Sequence, residues 1–115
     1  MGPARRVGHR VVTQDALQAH LDRLRAKFAT ELPQKLAEAE ALLAAVRAGD
    51  AEALKGLRFI VHRLHGTGGT MGFAALSTAA AALEARLDTC LQAGGAGPDD
   101  ITAIAAGLAA LKAAA

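Results

Sequence analysis

The chain has 115 residues, enough for one domain, and a net charge of +2. It contains three Phe and no Trp or Tyr. Hydrophobic residues make up 52% of the chain but are mostly Ala and Leu, which favours helices over sheets. Because so few aromatic rings are present to stack on bases, we expect no nucleic-acid partner. The longest uncharged stretch, residues 66–83, contains four glycines, so we expect no membrane span. The single cysteine, Cys90, cannot form an internal disulfide, and we expect a cytoplasmic location.

Residues 1–12 are predicted to form a flexible leader, and the first helix to begin after Thr13, whose hydroxyl suits an N-cap. An apolar stripe with steps of three and four residues then predicts a helix with one buried face. Its members are Leu17, Leu21, Leu24, Phe28, Leu32, Leu36, Ala39, Leu43 and Val46. Pro33 interrupts the stripe without changing its phase. We therefore predict a long, kinked first helix or a short N-terminal helical extension.

Three further helices are predicted after this one. Gly49 and Asp50 suit a turn, so a second helix is expected from near Ala51 to Gly72. A third is expected from about residue 74, and a fourth after a Gly- and Pro-containing loop over 93–98. Their apolar positions are Leu54, Leu57, Val61, Leu64 and Gly68, then Leu76, Ala80, Leu83, Leu87, Cys90 and Leu91, then Ile101, Ile104, Leu108 and Leu111. The sequence thus predicts an all-α fold, an antiparallel up-down four-helix bundle over residues 13–115.

The second predicted helix contains an unusual number of glycines. Four lie between Gly66 and Gly72, although a glycine inside a helix costs about 1 kcal/mol relative to alanine. At about 100° per residue, Gly68 faces the core and His62 lies on an exposed face. The residues that share this face are Lys55, Arg58, Phe59, His65, Gly66 and Gly69. The arrangement predicts a docking surface around a reactive imidazole.

An exposed imidazole is a nucleophile in its neutral form, which predominates for an ordinary histidine at pH 7. Lys55 and Arg58 would favour the neutral form of His62 and would offset the charge of a phosphoryl group attached to it. The sequence around His62 contains no P-loop, nucleotide motif or carboxylate cluster. The pattern therefore predicts an accessible nucleophile without a motif that would activate a phosphate donor, so we do not expect an enzyme.

Several short motifs resemble one family. The segments His62-x-Leu64-x-Gly66-Thr67, Gly72-Phe73-x-x-Leu76 and Leu83-Glu84 resemble the signature of histidine-containing phosphotransfer (HPt) domains. Upstream, Phe28-x-x-Glu31-Leu32-Pro33 and the Gly49-Asp50 turn are also similar to that family. The resemblance covers the chain from about residue 15 onward.

The resemblance implies a four-helix module that relays phosphate in two-component signalling. His62 would be phosphorylated through Nε2 by a receiver-domain aspartyl phosphate or a sensor histidine kinase, and would pass the group to a response-regulator receiver. The receiver would bring the Mg²⁺, so neither a cofactor nor a metal is expected in this chain, which we expect to be monomeric. Supporting roles would fall to Lys55, Arg58, His65, Gly66, Thr67 and Gly69, and docking contacts to Phe59 and Arg63.

The chain departs from the family pattern at two positions, and other functions stay open. His65 stands where the family often has Lys, and Thr67 where it often has Ser. A neutral imidazole is a weaker phosphate partner than Lys, and a structural role for His65 is an equal alternative. The other functions are an adaptor bundle that binds receivers without phosphotransfer, and a metal site formed by His62 and His65 at i,i+3 spacing.

Overall fold

The computed structural model describes residues 13–115, which form four helices. These are α1 (Gln14–Arg47), α2 (Ala51–Thr70), α3 (Ala74–Gln92) and α4 (Pro98–Ala114). Links of only three to five residues join them, and links this short make consecutive helices antiparallel. The predicted all-α, four-helix bundle is confirmed. The predicted leader, residues 1–12, lies outside the described residues.

Helix α1 runs without interruption through Pro33. It begins where the sequence predicted, because the Thr13 hydroxyl oxygen accepts a hydrogen bond from the Ala16 N–H at 3.1 Å. Of the two forms predicted for the start of the bundle, the structure therefore has the single long helix. The described chain divides within α1 into two units: the first ends at Glu31, and the second is Leu32–Ala115.

The apolar stripe of α1 is buried only in the second unit, where Leu32, Leu36, Ala39 and Leu43 belong to the core. In the first unit the side chains of Leu17 and Leu24 are 54% and 37% exposed. The expectation of one buried face along the whole helix is therefore wrong for its first half.

The core of the second unit consists mostly of predicted apolar positions from all four helices, together with Ala53, whereas the predicted positions Val46, Leu91 and Ile101 are only half-buried. Its largest fully buried side chains are Leu57, Val61, Leu76, Leu83, Leu87, Cys90, Ile104 and Leu111. Two glycines let these side chains approach a neighbouring helix: a Cβ at Gly68 would lie 3.4 Å from Leu76, and one at Gly107 would lie 2.9 Å from Leu83. The sequence correctly predicted that Gly68 faces the core.

Two tight turns fix the register of α2 between its neighbours. Gly49 has a φ of +95°, and the Asp50 carboxylate then caps α2 by accepting the N–H groups of Glu52 and Ala53. At the other end Gly72 has a φ of +89°, and the Phe73 N–H donates a hydrogen bond of 2.8 Å to the Gly68 carbonyl. Because the chain reverses direction at Gly72, residues of α2 and α3 on the two sides of this turn face each other.

Candidate functional site

His62 lies in the middle of α2 with its side chain 55% exposed. The turn at Gly72 brings Glu84 of α3 beside it, and the His62 Nδ1 atom lies 2.7 Å from Glu84 Oε2. The predicted exposure of His62 agrees with the structure. The carboxylate partner was not predicted, and it changes how the site works.

Glu84 binds three side chains through its two carboxylate oxygens. Oε1 accepts a hydrogen bond at 2.9 Å from His65 Nδ1, and Oε2 accepts one at 3.1 Å from Arg58 Nη2 as well as the bond from His62. Arg58 also donates through Nε to Asp88 at 2.9 Å. We call these five side chains, His62, His65, Glu84, Arg58 and Asp88, the Glu84 network. It lies entirely between α2 and α3, within the second unit.

The charge state of Glu84 determines the tautomer of both histidines. Partial burial raises the pKa of the Glu84 carboxyl, but hydrogen bonds from His62 and His65 and the charges of His62 and Arg58 outweigh burial and leave the pKa below its usual value. An ionised carboxylate only accepts hydrogen bonds, so each imidazole donates through Nδ1–H. In the neutral ring the lone pair then lies on Nε2. For His62 this is the nitrogen remote from Glu84, on an exposed side chain.

The positive charges near His62 are arranged differently from the sequence prediction. The hydrogen bond to Asp88 raises the pKa of Arg58 further above its usual value, and Glu84 contributes to the same shift. Lys55 lies seven residues before His62, about 10.5 Å along the helix axis, and pairs with Glu52 at 3.4 Å. Both predicted cations therefore lie beside carboxylates, and the expectation of no carboxylate cluster near His62 is wrong. The missing information was tertiary, because Glu84 and Asp88 come from another helix.

Two glycines of α2, Gly66 and Gly69, have different surroundings. Apart from the adjoining turns of α2 itself, a Cβ at Gly66 would lie within 4 Å of no described atom, as expected for a glycine that faces a partner. Gly69, expected to have the same role, faces α3 instead: a Cβ there would lie 3.0 Å from the Ser77 hydroxyl oxygen. Ser77 donates to the His65 carbonyl at 2.8 Å, so Gly69 makes room for a bond that joins the two helices. Gly69 thus has a packing role against α3, and its docking role stays a prediction.

A shallow, open groove lies beside His62. It is lined by His62, Arg63, Gly66, Thr67, Thr70 and Met71. One turn earlier on α2, the Phe59 ring is 60% exposed, and the Arg63 guanidinium lies 5.8 Å from its centroid. The structure thus brings His62, Gly66, Thr67 and Arg63 together in the groove.

Two further features of the described chain bear on the alternatives. Within residues 13–115, no three His, Cys, Asp or Glu side chains are arranged to hold a metal ion. Both histidines direct Nδ1 at a carboxylate that Arg58 already occupies. Of the four helices described, none has the length and apolar character required to cross a membrane.

The described chain is a four-helix protein with an exposed histidine in the middle of its second helix. The sequence profile of the Hpt domain family matches residues 23–114. The chain therefore belongs to the Hpt domain family, whose members carry out histidine phosphotransfer in phosphorelays and interact with receiver domains and kinases. No curated protein and no solved structure matches the chain closely enough to add to this assignment.

Two features of the site, the Glu84 carboxylate and the Ser77 hydroxyl, were not predicted from the sequence. Glu84 was present in the Leu83-Glu84 pair of the family pattern, but its distance of 22 residues from His62 concealed the hydrogen bond. Ser77 had no signal beyond its polarity. The three-residue turn at Gly72 could have indicated both contacts, because it fixes which residues of α3 face α2.

Proposed function

We propose that His62 accepts a phosphoryl group on Nε2 from a partner protein and passes it to a second partner. The observation that carries this proposal is the 2.7 Å bond between His62 Nδ1 and Glu84. It fixes the tautomer whose lone pair lies on Nε2, and the exposed side chain presents that nitrogen to a partner. Residue by residue, the position of His62 also fits the family pattern.

The chemistry of the transfer follows from the Glu84 network. Nε2 attacks the phosphorus of an aspartyl phosphate, the N–P bond forms, the P–O bond breaks, and the aspartate leaves as a carboxylate. The imidazole keeps its Nδ1 proton and gains positive charge, which the ionised Glu84 stabilises through the existing hydrogen bond. Transfer to the next aspartate reverses these steps. Glu84 is thus a positioning residue that acts through His62, and Arg58 and Asp88 hold Glu84 in place.

The groove beside His62 supports a receiver domain as the partner. Gly66 leaves the backbone uncovered next to the nucleophile, so a partner loop carrying an aspartyl phosphate has room to approach. Phe59 offers an exposed ring, and Arg63 and Thr67 border the approach. The receiver would supply the acidic pocket and its Mg²⁺, so this chain needs only the imidazole and its supports. Lys55 would add long-range positive charge and make no direct contact.

The proposal describes a relay intermediate, not an enzyme that turns over by itself. The donor is a receiver aspartyl phosphate or a sensor histidine kinase, and the acceptor is a response-regulator receiver. We propose that the chain acts in the cytoplasm as a monomer. The adaptor function is the second candidate, and the exposed Phe59 ring beside Arg63 is the observation that favours it, because binding alone would use the same surface.

The test is transfer of radiolabel from a phosphorylated receiver domain to the wild type and to His62→Gln. His20→Gln is the matched control, since His20 is exposed and lies outside the Glu84 network. We expect label that is stable to alkali and labile to acid on the wild type and on His20→Gln, and none on His62→Gln. Receiver binding with no label on any variant would favour the adaptor, and label retained by His62→Gln would refute the proposed residue.

A further inference from the structure

Arg58 is shared between two carboxylates of α3. Its Nε donates to Asp88 Oδ1 at 2.9 Å, and its Nη2 donates to Glu84 Oε2 at 3.1 Å. Hydrogen bonds between ionised groups of this kind are usually about 2.7–2.9 Å long. The bond to Asp88 therefore has an ordinary length and the bond to Glu84 is long. The pKa of Arg58 agrees, since the hydrogen bond to Asp88 raises it more than the charge of Glu84 does.

The Oε2 atom of Glu84 already accepts two donors. His62 Nδ1 lies 2.7 Å from this oxygen, and Arg58 Nη2 lies 3.1 Å from the same oxygen. Because a carboxylate oxygen has two lone pairs, Oε2 has no site for a third donor. A guanidinium that moved closer to Glu84 would compete with the imidazole. The short bond to His62 therefore depends on how Arg58 is held.

Asp88 determines the position of the guanidinium. The Nε and Nη2 donors of Arg58 belong to one planar fork, which commonly binds both oxygens of a single carboxylate. Asp88 follows Glu84 by four residues, about 6 Å along the axis of α3, and it occupies the Nε donor. While Asp88 is bound, the fork cannot give both N–H groups to Glu84. Without Asp88 the fork would be able to bind Oε2 together with Oε1, the acceptor of His65.

We infer that Asp88 is a positioning residue for phosphoryl transfer: it anchors Arg58 away from Glu84 and so reserves Oε2 for the Nδ1–H of His62. The inference rests on the proposed phosphorylation of His62. It makes the guanidinium of Arg58 a competitor of His62 that Asp88 restrains. The loss of Asp88 should therefore impair the site only while Arg58 is present.

The test compares three variants with the wild type. Asp88→Ala removes the anchor, and the double variant Arg58→Met/Asp88→Ala also removes the competing donor while it keeps an unbranched side chain. The double variant lacks every contact that Asp88→Ala lacks, so a purely structural effect of the lost ion pair would persist in it. Arg86→Met is the matched control, since Arg86 and Asp100 also form an ion pair between α3 and a neighbouring helix, at 3.2 Å, outside the Glu84 network.

The first measurement does not depend on phosphoryl transfer. ¹⁵N NMR of the unphosphorylated proteins reports which ring nitrogen of His62 carries the proton. We expect the proton on Nδ1 in the wild type, Arg86→Met and the double variant. We expect a mixture of tautomers in Asp88→Ala, because a hydrogen bond to an ionised group shifts such an equilibrium by about tenfold or more.

The second measurement is single-turnover transfer of label from a phosphorylated receiver domain. Asp88→Ala weakens the bond from His62 to Glu84 without removing it, so we expect transfer to slow by about fivefold. The double variant and Arg86→Met should stay within about twofold of the wild type.

The outcomes separate this inference from the proposed function. If the wild type is labelled on His62 but the tautomer is unchanged in Asp88→Ala, the role of Asp88 is overturned and the proposed function stands. A double variant that is as slow as Asp88→Ala would overturn the role of Asp88 in the same way. No label on the wild type would overturn the proposed function, and the role of Asp88 in transfer with it.

Discussion

Gly66 is the position where the structure separates stability from function most clearly. A glycine inside a helix costs about 0.8–1.0 kcal/mol relative to alanine, and apart from the adjoining turns of α2 itself no described atom lies within 4 Å of a Cβ at Gly66. Gly66→Ala should therefore stabilise the protein by about 0.8–1.0 kcal/mol and raise Tm by about 4 °C. The same methyl would stand in the groove beside His62, so transfer from a receiver should slow by about tenfold or more, as overpacking at a close contact does.

The assay pairs thermal and urea denaturation with single-turnover phosphoryl transfer. Gly56→Ala is the matched control on the same helix, since a Cβ at Gly56 meets Leu42 at an ordinary contact distance of 3.4 Å and lies outside the groove. We expect both variants to be stabilised, with slower transfer only for Gly66→Ala.

Two results would refute this reasoning. If Gly66→Ala is more stable and transfers phosphate at the wild-type rate, then the bare backbone beside His62 does not serve a partner. If Gly66→Ala is destabilised while Gly56→Ala is not, then Gly66 has a packing role within the fold, and the argument from its open surroundings fails.

Three further predictions address the carboxylate, the core and the docking surface. Glu84→Gln should slow phosphoryl transfer by about tenfold, since the developing imidazolium loses its counter-ion. Because folding lowers the pKa of Glu84, ionised Glu84 stabilises the fold fully above its ordinary pKa of 4.5, and this stabilisation is lost as the pH falls through the folded-state pKa. In urea denaturation, the stability of the wild type should therefore approach that of Glu84→Gln below pH 4.5. Gly107→Ala should destabilise the protein by about 1 kcal/mol in urea without changing transfer, since its Cβ would lie 2.9 Å from the buried Leu83. Phe59→Ala should change stability by less than about 0.5 kcal/mol but weaken receiver binding about tenfold by calorimetry.

Each of these predictions has a result that contradicts it. A constant difference in stability between Glu84→Gln and the wild type from pH 3 to 7 would show that the network does not lower the Glu84 pKa. A gain in stability for Gly107→Ala would mean that helix propensity outweighs the contact with Leu83. Unchanged receiver affinity for Phe59→Ala would remove that ring from the docking surface.

The sequence predicted most of the fold because the relevant information was local. Periodicity placed Leu57, Val61 and Leu64 in the core, and the turn at Gly49 and Asp50 followed from the ordinary preferences of those residues at helix ends. Helical angles also placed His62 on an exposed face. The predicted buried face of α1 was too long, because an apolar stripe shows which face of a helix is apolar and not whether another helix covers it. Leu17 is the clearest case, with 54% of its side chain exposed.

The interior of the site could not be read from one helix. The helical angles of α2 predicted that Arg58 lies near His62 as a cation, but they could not show the carboxylates of α3 that bind Arg58. They also assigned Gly66 and Gly69 the same role, although Gly69 faces Ser77. Each of these differences concerns a contact between helices, which the register of the Gly72 turn determines and helical periodicity within α2 does not contain.

The most direct test of the account is to identify the nitrogen that carries phosphate. Protein labelled with ¹⁵N in its histidines, once phosphorylated by a receiver, would be examined by ³¹P and ¹⁵N NMR for the coupling between phosphorus and the ring nitrogens. The account predicts a single phosphohistidine at residue 62 with phosphorus bonded to Nε2 and a proton retained on Nδ1, where Glu84 accepts it. Phosphorus bonded to Nδ1 of His62, or to any other side chain, would contradict the role assigned to Glu84 and with it the proposed relay site.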